Sequence, residues 1–244
     1  MTHLVLLPGT LCDERLFAHQ TEHLADVASV EVGDVATADT VSGMAAAVLD
    51  RAPPRFALAG LSLGGIVAME IIRIAPKRIS KLALLDTNHN LPTPSQVATW
   101  ELFEDLTRSG RFKEVTRRYL LDSLLHHQTP ESKALVLDMA ARLGPESFLN
   151  QNAALPTRPD NRSVLPTITV PTMVLCGSEE RVCPVSVHEE IAASISRARL
   201  VVVSGAGHLS TIDQPELVTH AMRRWLTASE RDLTETDETK EKTA

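Results

Sequence analysis

Residues 56–71, FALAGLSLGGIVAMEI, place one serine, Ser62, between two apolar segments. The segment 56–59 has the length and composition of a buried strand, and 64–74 has those of a helix. The five residues 60–64, GLSLG, match the pattern G-x-S-x-G, in which a sharp strand-to-helix turn carries a serine at its apex. Small residues two positions before and after the serine let the backbones approach closely. The stretch therefore predicts a serine hydroxyl exposed above the edge of a sheet.

Short apolar runs alternate with amphipathic stretches on both sides of this turn. The pattern predicts strands at 3–7, 29–35, 56–59, 81–85, 172–176 and 199–203, and helices at 14–27, 40–49, 64–74, 185–195 and 215–226. Strands separated by helices indicate an α/β fold in which a mostly parallel sheet has helices on both faces.

The alternation stops between residues 91 and 165, where several charged helical stretches follow one another without a clear strand. We interpret 91–165 as a helical lid inserted between a first core part, 1–90, and a second core part, 166–228. Such an insertion belongs at the carboxyl edge of the strands, where α/β proteins bind ligands. The final segment 229–244, SERDLTETDETKEKTA, is polar without periodicity and predicts a disordered tail.

The composition excludes several classes of partner. The chain of 244 residues has a net charge of −7 and no basic stripe with interleaved aromatics, which argues against nucleic acid and anionic membranes as partners. Aromatic residues make up only 3% of the sequence, so a pocket must be lined mainly by aliphatic side chains. No segment approaches the roughly 18 consecutive apolar residues of a membrane span.

The three cysteines, Cys12, Cys176 and Cys183, are too few for a disulfide framework and lack zinc-ligand spacing. They indicate a reducing compartment and no metal site. The first ten residues, MTHLVLLPGT, have no basic segment and too short an apolar run for a secretion signal, so we expect a cytoplasmic protein. Cys12 has no neighbouring base, and we expect it to be a small buried side chain.

A serine hydroxyl is a weak nucleophile until a base accepts its proton. Of the nine histidines, His208 lies just after the last predicted strand, flanked by Gly205 and Gly207, and therefore at the same sheet edge as Ser62. His89 follows the strand 81–85 and is the main alternative. His188 is expected on a helix surface.

A carboxylate should orient the imidazole and stabilise its protonated form. The segment 176–184, CGSEERVCP, ends the strand before the histidine strand and contains Glu179 and Glu180. Asp86 ends another strand at the same edge. The residues alone leave these three carboxylates open, and we favour Glu180.

Cleavage of an acyl bond also needs donors for the negatively charged oxygen that forms. One donor is expected to be the backbone N–H of Leu63, directly after the serine. The other is expected from the loop in 5–14, VLLPGTLCDE, where the turn at Pro8-Gly9 should present the N–H of Thr10, with Leu11 as the alternative.

Four motifs, LLPGT, GLSLGG, CGSEERVCP and GAGHLSTIDQP, resemble those of the α/β-hydrolase superfamily over residues 3–226. Within it the chain is most similar to small bacterial carboxylesterases, including those that act on pimeloyl-carrier-protein methyl ester. The resemblance implies the α/β-hydrolase fold and a hydrolase without a cofactor. Members of this family usually have additional strands before the strand that leads into the oxyanion loop. This chain starts close to that strand, so we expect its sheet to be shorter.

The resemblance also bears on the site residues. The first motif commonly reads His-Gly-X in this family, and X supplies the oxyanion N–H; here Pro8 replaces the histidine and Thr10 matches X. The acid motif commonly reads Gly-x-x-Asp-x-x-x-Pro. Gly177 and Pro184 match its ends, which places the acid at Glu180, a glutamate where aspartate is usual.

These observations predict a serine esterase with Ser62, Glu180 and His208 as catalytic residues, Thr10 and Leu63 as oxyanion donors, and a small-molecule ester as substrate. The same residues could also cleave thioesters or lactones, or transfer the acyl group to acceptors other than water. A serine nucleophile disfavours dehalogenases and epoxide hydrolases, which use aspartate there. Two hypotheses of other classes are a catalytically weak ligand-binding relative and an interaction scaffold built on the acidic tail.

Overall fold

Six parallel strands form one sheet in a computed structural model that describes residues 1–228. The predicted disordered tail, 229–244, lies outside the described residues. Along the sheet the strands follow the order β2-β1-β3-β4-β5-β6, and every neighbouring pair is parallel. Their bounds are β1 Thr2–Leu7, β2 Ala28–Val32, β3 Phe56–Leu61, β4 Ile79–Leu85, β5 Thr172–Gly177 and β6 Ala198–Val203.

Helices cover both faces of this sheet, which confirms the predicted fold class. The α-helices are α1 Ala18–His23, α2 Val41–Arg51, α3 Leu63–Ile74, α4 Pro94–Arg108, α5 Phe112–Glu114, α6 Leu121–Leu124, α7 Pro130–Ala154, α8 Val185–Ser194, α9 Ser210–Asp213 and α10 Pro215–Thr227. Short 3-10 turns occupy Glu14–Phe17, Pro76–Arg78, Leu155–Thr157, Asn161–Ser163 and Leu165–Thr167, and a π-helix occupies Val115–Leu120. Within residues 1–228, none of the helices has the length and apolarity to cross a membrane.

Two apolar layers hold the helices against the sheet. On one face, buried side chains of α2, α3 and α8 pack with strand residues such as Val5 and Leu58. On the other face, α10 and the turn before α1 pack with the intervening strand residues, such as Leu6 and Ala59. This alternation follows from the period of two in a strand, which sends successive side chains to opposite faces.

The segment between β4 and β5 contains α4 to α7, in agreement with its helical sequence pattern. Gly144, with a φ of 77°, breaks the helical backbone of α7 just before Pro145, so α7 is kinked there. A third apolar cluster joins this helical insertion to the loop after β1: Leu11, Phe103, Leu106, Val115, Ala140 and Phe148. The insertion therefore packs against the carboxyl edge of the sheet, next to the serine turn.

Candidate active site

Ser62 lies between β3 and α3 with a φ of 54° and a ψ of −115°. A positive φ costs a residue with a Cβ free energy, so the surrounding structure must hold this turn. Close contacts explain the glycines on either side. A Cβ on Gly60 would lie 2.2 Å from the carbonyl oxygen of Gly64, and a Cβ on Gly64 would lie 2.0 Å from the carbonyl oxygen of Leu7. Only glycine fits at these two positions.

The end of β4 fixes the serine turn from the neighbouring side. The N–H of Ser62 donates to the carbonyl oxygen of Leu85 at 2.9 Å, and the hydroxyl of Thr87 donates to the carbonyl oxygen of Ser62 at 2.7 Å. The main chain of Ser62 is thus held on both its N–H and its C=O. Its side chain remains available for other contacts.

His208 connects Ser62 to a buried carboxylate. Its Nε2 lies 2.9 Å from the Ser62 Oγ, and its Nδ1 lies 2.6 Å from Oε2 of Glu180. The loop after β5 carries Glu180 and the loop after β6 carries His208, so neighbouring parallel strands bring the two together. Both side chains are almost completely buried. The three residues therefore form a continuous chain from hydroxyl to imidazole to carboxylate.

The charge on Glu180 is stabilised from two sides. Its Oε1 accepts the N–H groups of Val182 at 2.6 Å and Cys183 at 3.1 Å. Burial by itself raises the pKa of Glu180, but the charge and hydrogen bond of His208 and these two N–H groups outweigh it, and the net pKa is lowered. Burial lowers the pKa of His208, but the Glu180 carboxylate outweighs it and raises the net pKa above the ordinary 6.5.

The ionised carboxylate also sets the tautomer of the imidazole. Because Glu180 only accepts hydrogen bonds, the proton of neutral His208 lies on Nδ1. The lone pair of Nε2 then faces the Ser62 hydroxyl. This arrangement can accept a proton from the serine and stabilise the imidazolium that results.

The rival residues lie elsewhere. Glu179 is exposed and accepts a hydrogen bond from the Ser178 hydroxyl at 3.2 Å. His89 is buried, and its Nε2 lies 3.5 Å from Oε2 of Glu190. Burial raises the pKa of the Cys12 thiol to about 12, with the charge of Asp13 adding to the effect, so this cysteine is a poor nucleophile.

Asp86 is fully buried beside these residues but binds different groups. Its Oδ1 accepts the N–H of Gly177 at 3.0 Å, and its Oδ2 accepts the hydroxyl of Ser210 at 2.5 Å. Burial raises the pKa of Asp86 well above its ordinary value, and the neighbouring Glu180 carboxylate raises it further. The sequence left Asp86 open as an alternative acid. In the structure, its carboxylate instead accepts hydrogen bonds from Gly177 and Ser210, in the segments that carry Glu180 and His208.

The predicted surface position of His188 is wrong, because this side chain is completely buried. Its Nε2 accepts the N–H of Thr87 at 2.9 Å, and its Nδ1 lies 3.2 Å from the carbonyl oxygen of Pro184. Burial lowers its pKa to about 4, which keeps the ring neutral. Its helical spacing from Ile191 and Ile195, both buried, is the signal that identifies its buried face.

The loop after β1 lies directly against the serine. A Cβ on Gly9 would lie 3.4 Å from the Cβ of Ser62. The N–H of Leu11 donates to Oε1 of Gln151 at 2.9 Å, whereas the N–H of Thr10 makes no hydrogen bond within residues 1–228. Leu63 opens α3, and a first-turn N–H has no acceptor within its own helix. Two backbone donors are thus left near the serine, at Thr10 and Leu63.

The helical insertion is also tied to the histidine loop. The N–H of Leu209 donates to the carbonyl oxygen of Leu124 at 2.9 Å. The carboxylate of Asp213 accepts the N–H groups of His126, His127 and Gly207 at 2.8 to 3.0 Å. These contacts join residues next to His208 to the end of α6 and the turn after it. Sequence patterns had not indicated this connection.

The fold and the serine turn are those of an α/β hydrolase, and the chain belongs to the alpha/beta hydrolase family, whose model matches residues 4–221. It is similar to the pimeloyl-[acyl-carrier protein] methyl ester esterase of Xanthomonas campestris pv. campestris, with 26% identity over 224 residues covering 88% of each chain. The enzyme of the same name from Citrobacter koseri is 26% identical over 231 residues, covering 87% of this chain and 89% of that one.

Two solved structures extend the comparison. A thermophilic esterase from Thermogutta terrifontis has a TM-score of 0.84 and 26% identity, covering 96% of this chain and 90% of its own. The enol-lactonase from Burkholderia xenovorans LB400 has a TM-score of 0.81 and 20% identity, covering 93% and 92%, and this likeness concerns the fold alone. With its family and its esterase relatives, the chain is a hydrolase.

Proposed function

We propose that this chain is a serine esterase that cleaves a carboxylic ester through an acyl-enzyme intermediate. Ser62 is the nucleophile, His208 the general base and acid, and Glu180 the residue that orients and stabilises the imidazole. The observation that carries the proposal is the unbroken chain of two hydrogen bonds, 2.9 Å from Ser62 to His208 and 2.6 Å from His208 to Glu180. Such a chain activates an otherwise weak hydroxyl nucleophile.

The first half of the reaction forms the acyl-enzyme. His208 Nε2 accepts the hydroxyl proton as the Ser62 Oγ bonds to the ester carbonyl carbon, whose oxygen becomes negatively charged. The N–H groups of Thr10 and Leu63 stabilise that oxygen in the proposed oxyanion hole. The tetrahedral intermediate collapses when the bond to the alcohol oxygen breaks, and His208 gives its proton to the leaving alkoxide.

The second half repeats these steps with water. His208 accepts a proton from a water molecule whose oxygen bonds to the acyl carbon. When the bond to Ser62 breaks, His208 returns the proton to the serine oxygen and the carboxylic acid is released. Every proton passes through His208, so the mechanism uses no group beyond these side chains and backbone donors.

The substrate class follows from the relatives and the composition. Both curated relatives described above are named for the hydrolysis of a methyl ester. We propose an ester of a small alcohol and a short or medium acyl group as the substrate of this chain. The net charge of −7 supports a small-molecule substrate over nucleic acid or an anionic membrane. Three free, buried cysteines support a cytoplasmic location.

Labelling with a fluorophosphonate followed by peptide mass spectrometry tests the nucleophile. We expect one adduct, on Ser62, and turnover of p-nitrophenyl acetate and butyrate that the adduct abolishes. A matched panel of methyl esters, thioesters and lactones then ranks the leaving groups. Failure to label Ser62 or to turn over any acyl substrate would contradict the proposal and favour a ligand-binding relative. Faster turnover of thioesters or lactones would keep the nucleophile and correct the substrate class.

A further inference from the structure

Gln151 is a fully buried amide on α7, in the part of that helix after the kink at Gly144. Its Oε1 accepts the N–H of Leu11 at 2.9 Å, and its Nε2 donates to the carbonyl oxygen of Val35 at 3.3 Å. Because both ends of the amide have partners, its orientation is fixed. A side chain of the helical insertion thus holds the backbone of the loop that lies against Ser62.

Leu11 has an unusual backbone conformation at this point. The N–H of Cys12 donates to the carbonyl oxygen of Gly9 at 3.2 Å, which closes a turn with Leu11 at its third position. Leu11 has a φ of 60°, and glycine is the usual residue for a positive φ at that position. Rotation of the peptide unit between Thr10 and Leu11 would give the unstrained turn, but would direct the Leu11 N–H away from Gln151. The hydrogen bond therefore selects the strained turn.

The hydrogen bond from Leu11 to Gln151 leaves only one of the two candidate donors of this loop free beside the serine. Gln151 occupies the N–H of Leu11, and the N–H of Thr10 has no acceptor within the part of the chain that is described. Gly9, next in the loop, is the residue packed against Ser62. The two candidate donors are thus separated: Leu11 is bound to α7, and Thr10 is left for a ligand.

We propose that Gln151 is a positioning residue that fixes this loop against the serine, so that the Thr10 N–H, and not the Leu11 N–H, is the donor to the oxyanion. The inference rests on the proposed ester hydrolysis, since it assigns a support for one of its two oxyanion donors. The side chain of Leu11 also packs among residues of the helical insertion, including Phe103 and Phe148. The position of α7 is therefore coupled to the loop after β1 by apolar packing as well as by the hydrogen bond.

Two substitutions of Gln151 separate its hydrogen bonds from its volume. Gln151→Met keeps the length of the side chain but removes the acceptor for Leu11. Gln151→Glu, with its buried carboxyl group protonated, keeps an oxygen that can accept the Leu11 N–H and a hydroxyl that can donate to the Val35 carbonyl oxygen. We expect kcat on p-nitrophenyl butyrate to fall about 10- to 100-fold in the methionine variant, less than for outright loss of an oxyanion donor. The glutamate variant should stay within about fivefold of the unmodified enzyme, and KM should change little in either.

Asn152 provides the matched control on the same helix. It is also buried, and its Nδ2 donates to the carbonyl oxygen of Trp100 at 2.8 Å, so within residues 1–228 it supports the insertion without a hydrogen bond to the loop after β1. Asn152→Leu should leave kcat within about twofold of the unmodified enzyme. A trifluoromethyl ketone, whose adduct places an oxyanion against the same donors, should lose affinity with Gln151→Met by the same factor as kcat and keep its affinity with Asn152→Leu.

Hydrogen exchange at the Leu11 amide tests the hydrogen bond between Leu11 and Gln151 independently of catalysis. This N–H should exchange faster in Gln151→Met than in the unmodified chain and keep its protection in Gln151→Glu. Faster exchange without a change in kcat would overturn the positioning role, while ester turnover by the unmodified enzyme would leave the proposed function standing. Equal losses of kcat in Gln151→Met and Asn152→Leu would also overturn it, because a general loss of packing would then explain both.

Discussion

The carboxylate of Asp86 accepts a hydrogen bond from the hydroxyl of Ser210 at 2.5 Å, although the two residues lie 124 positions apart in the chain. The other oxygen of Asp86 accepts the N–H of Gly177 at 3.0 Å. Ser210 lies two residues after His208, and Gly177 lies three residues before Glu180. One buried carboxylate therefore holds the bases of both loops that carry the proposed histidine and acid.

Replacing Asp86 with alanine should destabilise the protein and disturb both loops. The substitution leaves a buried N–H and a buried hydroxyl without an acceptor, at a cost of about 1–3 kcal/mol each. We expect the free energy of unfolding to fall by about 2–4 kcal/mol, measured by urea denaturation. Asp86→Asn should lose less, because its amide oxygen can still accept the Gly177 N–H. Equal stability of the alanine variant and the unmodified protein would contradict the role of Asp86 in holding these two loops.

Glu180→Gln should lower kcat by about 10³- to 10⁴-fold. The N–H groups of Val182 and Cys183 require an oxygen, so the amide nitrogen of the glutamine would face His208. That nitrogen donates a hydrogen bond to Nδ1, which moves the imidazole proton to Nε2 and removes the base that faces the serine. The measurement is kcat on p-nitrophenyl butyrate.

Two carboxamide variants serve as controls for the acid. Glu179→Gln, at an exposed carboxylate, should keep kcat within about twofold. Asp86→Asn should lose far less activity than Glu180→Gln, because Asp86 makes no hydrogen bond to the imidazole. A larger loss in either control than in Glu180→Gln would move the assignment of the acid to that residue.

The fold was largely predictable because buried parallel strands are short, apolar and bounded by turns. The structure has each predicted strand, and the strand before the serine turn extends two residues beyond its predicted end, to Leu61. The predicted strand 29–35 ends earlier, at Val32. There the Asp34 Oδ1 accepts the N–H of Ala36 at 2.8 Å, and this local turn competes with strand pairing.

The residues of the site were predictable only where they follow a strand or repeat a motif. Asp86 and Glu180 follow the neighbouring strands β4 and β5, and strand order alone does not say which carboxylate faces His208. The orientation of each carboxylate depends on contacts that the sequence pattern does not encode, such as the two backbone N–H groups that donate to Glu180. Gln151 lies 140 positions from its partner Leu11 and carries no local signal.

Activity should rise with pH through a single transition above pH 6.5. As the proposed base, His208 must be neutral to accept the serine proton, and its pKa is raised because the Glu180 carboxylate stabilises the protonated ring. At pH values below the raised pKa the base is protonated, so kcat/KM falls as the solution is acidified. A pH profile of kcat/KM measures the midpoint, with thermal unfolding at each pH as the control for stability. A midpoint at or below 6.5 would contradict the influence of Glu180.

Ser62→Ala should reduce kcat by at least about 10⁴-fold without unfolding the protein. Ser62→Gly should be equally inactive, yet at least as stable as the alanine variant. The φ of 54° at this position strains any residue with a Cβ, and glycine relieves that strain. Thermal unfolding of the two inactive variants compares them directly. A clearly less stable glycine variant would show that the turn is unstrained.

Gly64→Ala should destroy the fold around the serine turn. The new Cβ would lie 2.0 Å from the carbonyl oxygen of Leu7, in a strand fixed on both sides by β2 and β3, so α3 would have to move off the sheet. We expect a loss of unfolding free energy above about 4 kcal/mol, or no folded protein at all.

Gly110→Ala is the control for that substitution. Gly110 has a φ of 80° but nothing within 4 Å of a Cβ, so alanine there meets only backbone strain, about 1–2 kcal/mol. Circular dichroism and urea denaturation of the two variants therefore separate a steric clash from a conformational penalty. Because the clash involves backbone atoms that no rotamer can move, a Gly64→Ala protein as stable as Gly110→Ala would mean that α3 does not pack as closely on β1 as the structure shows.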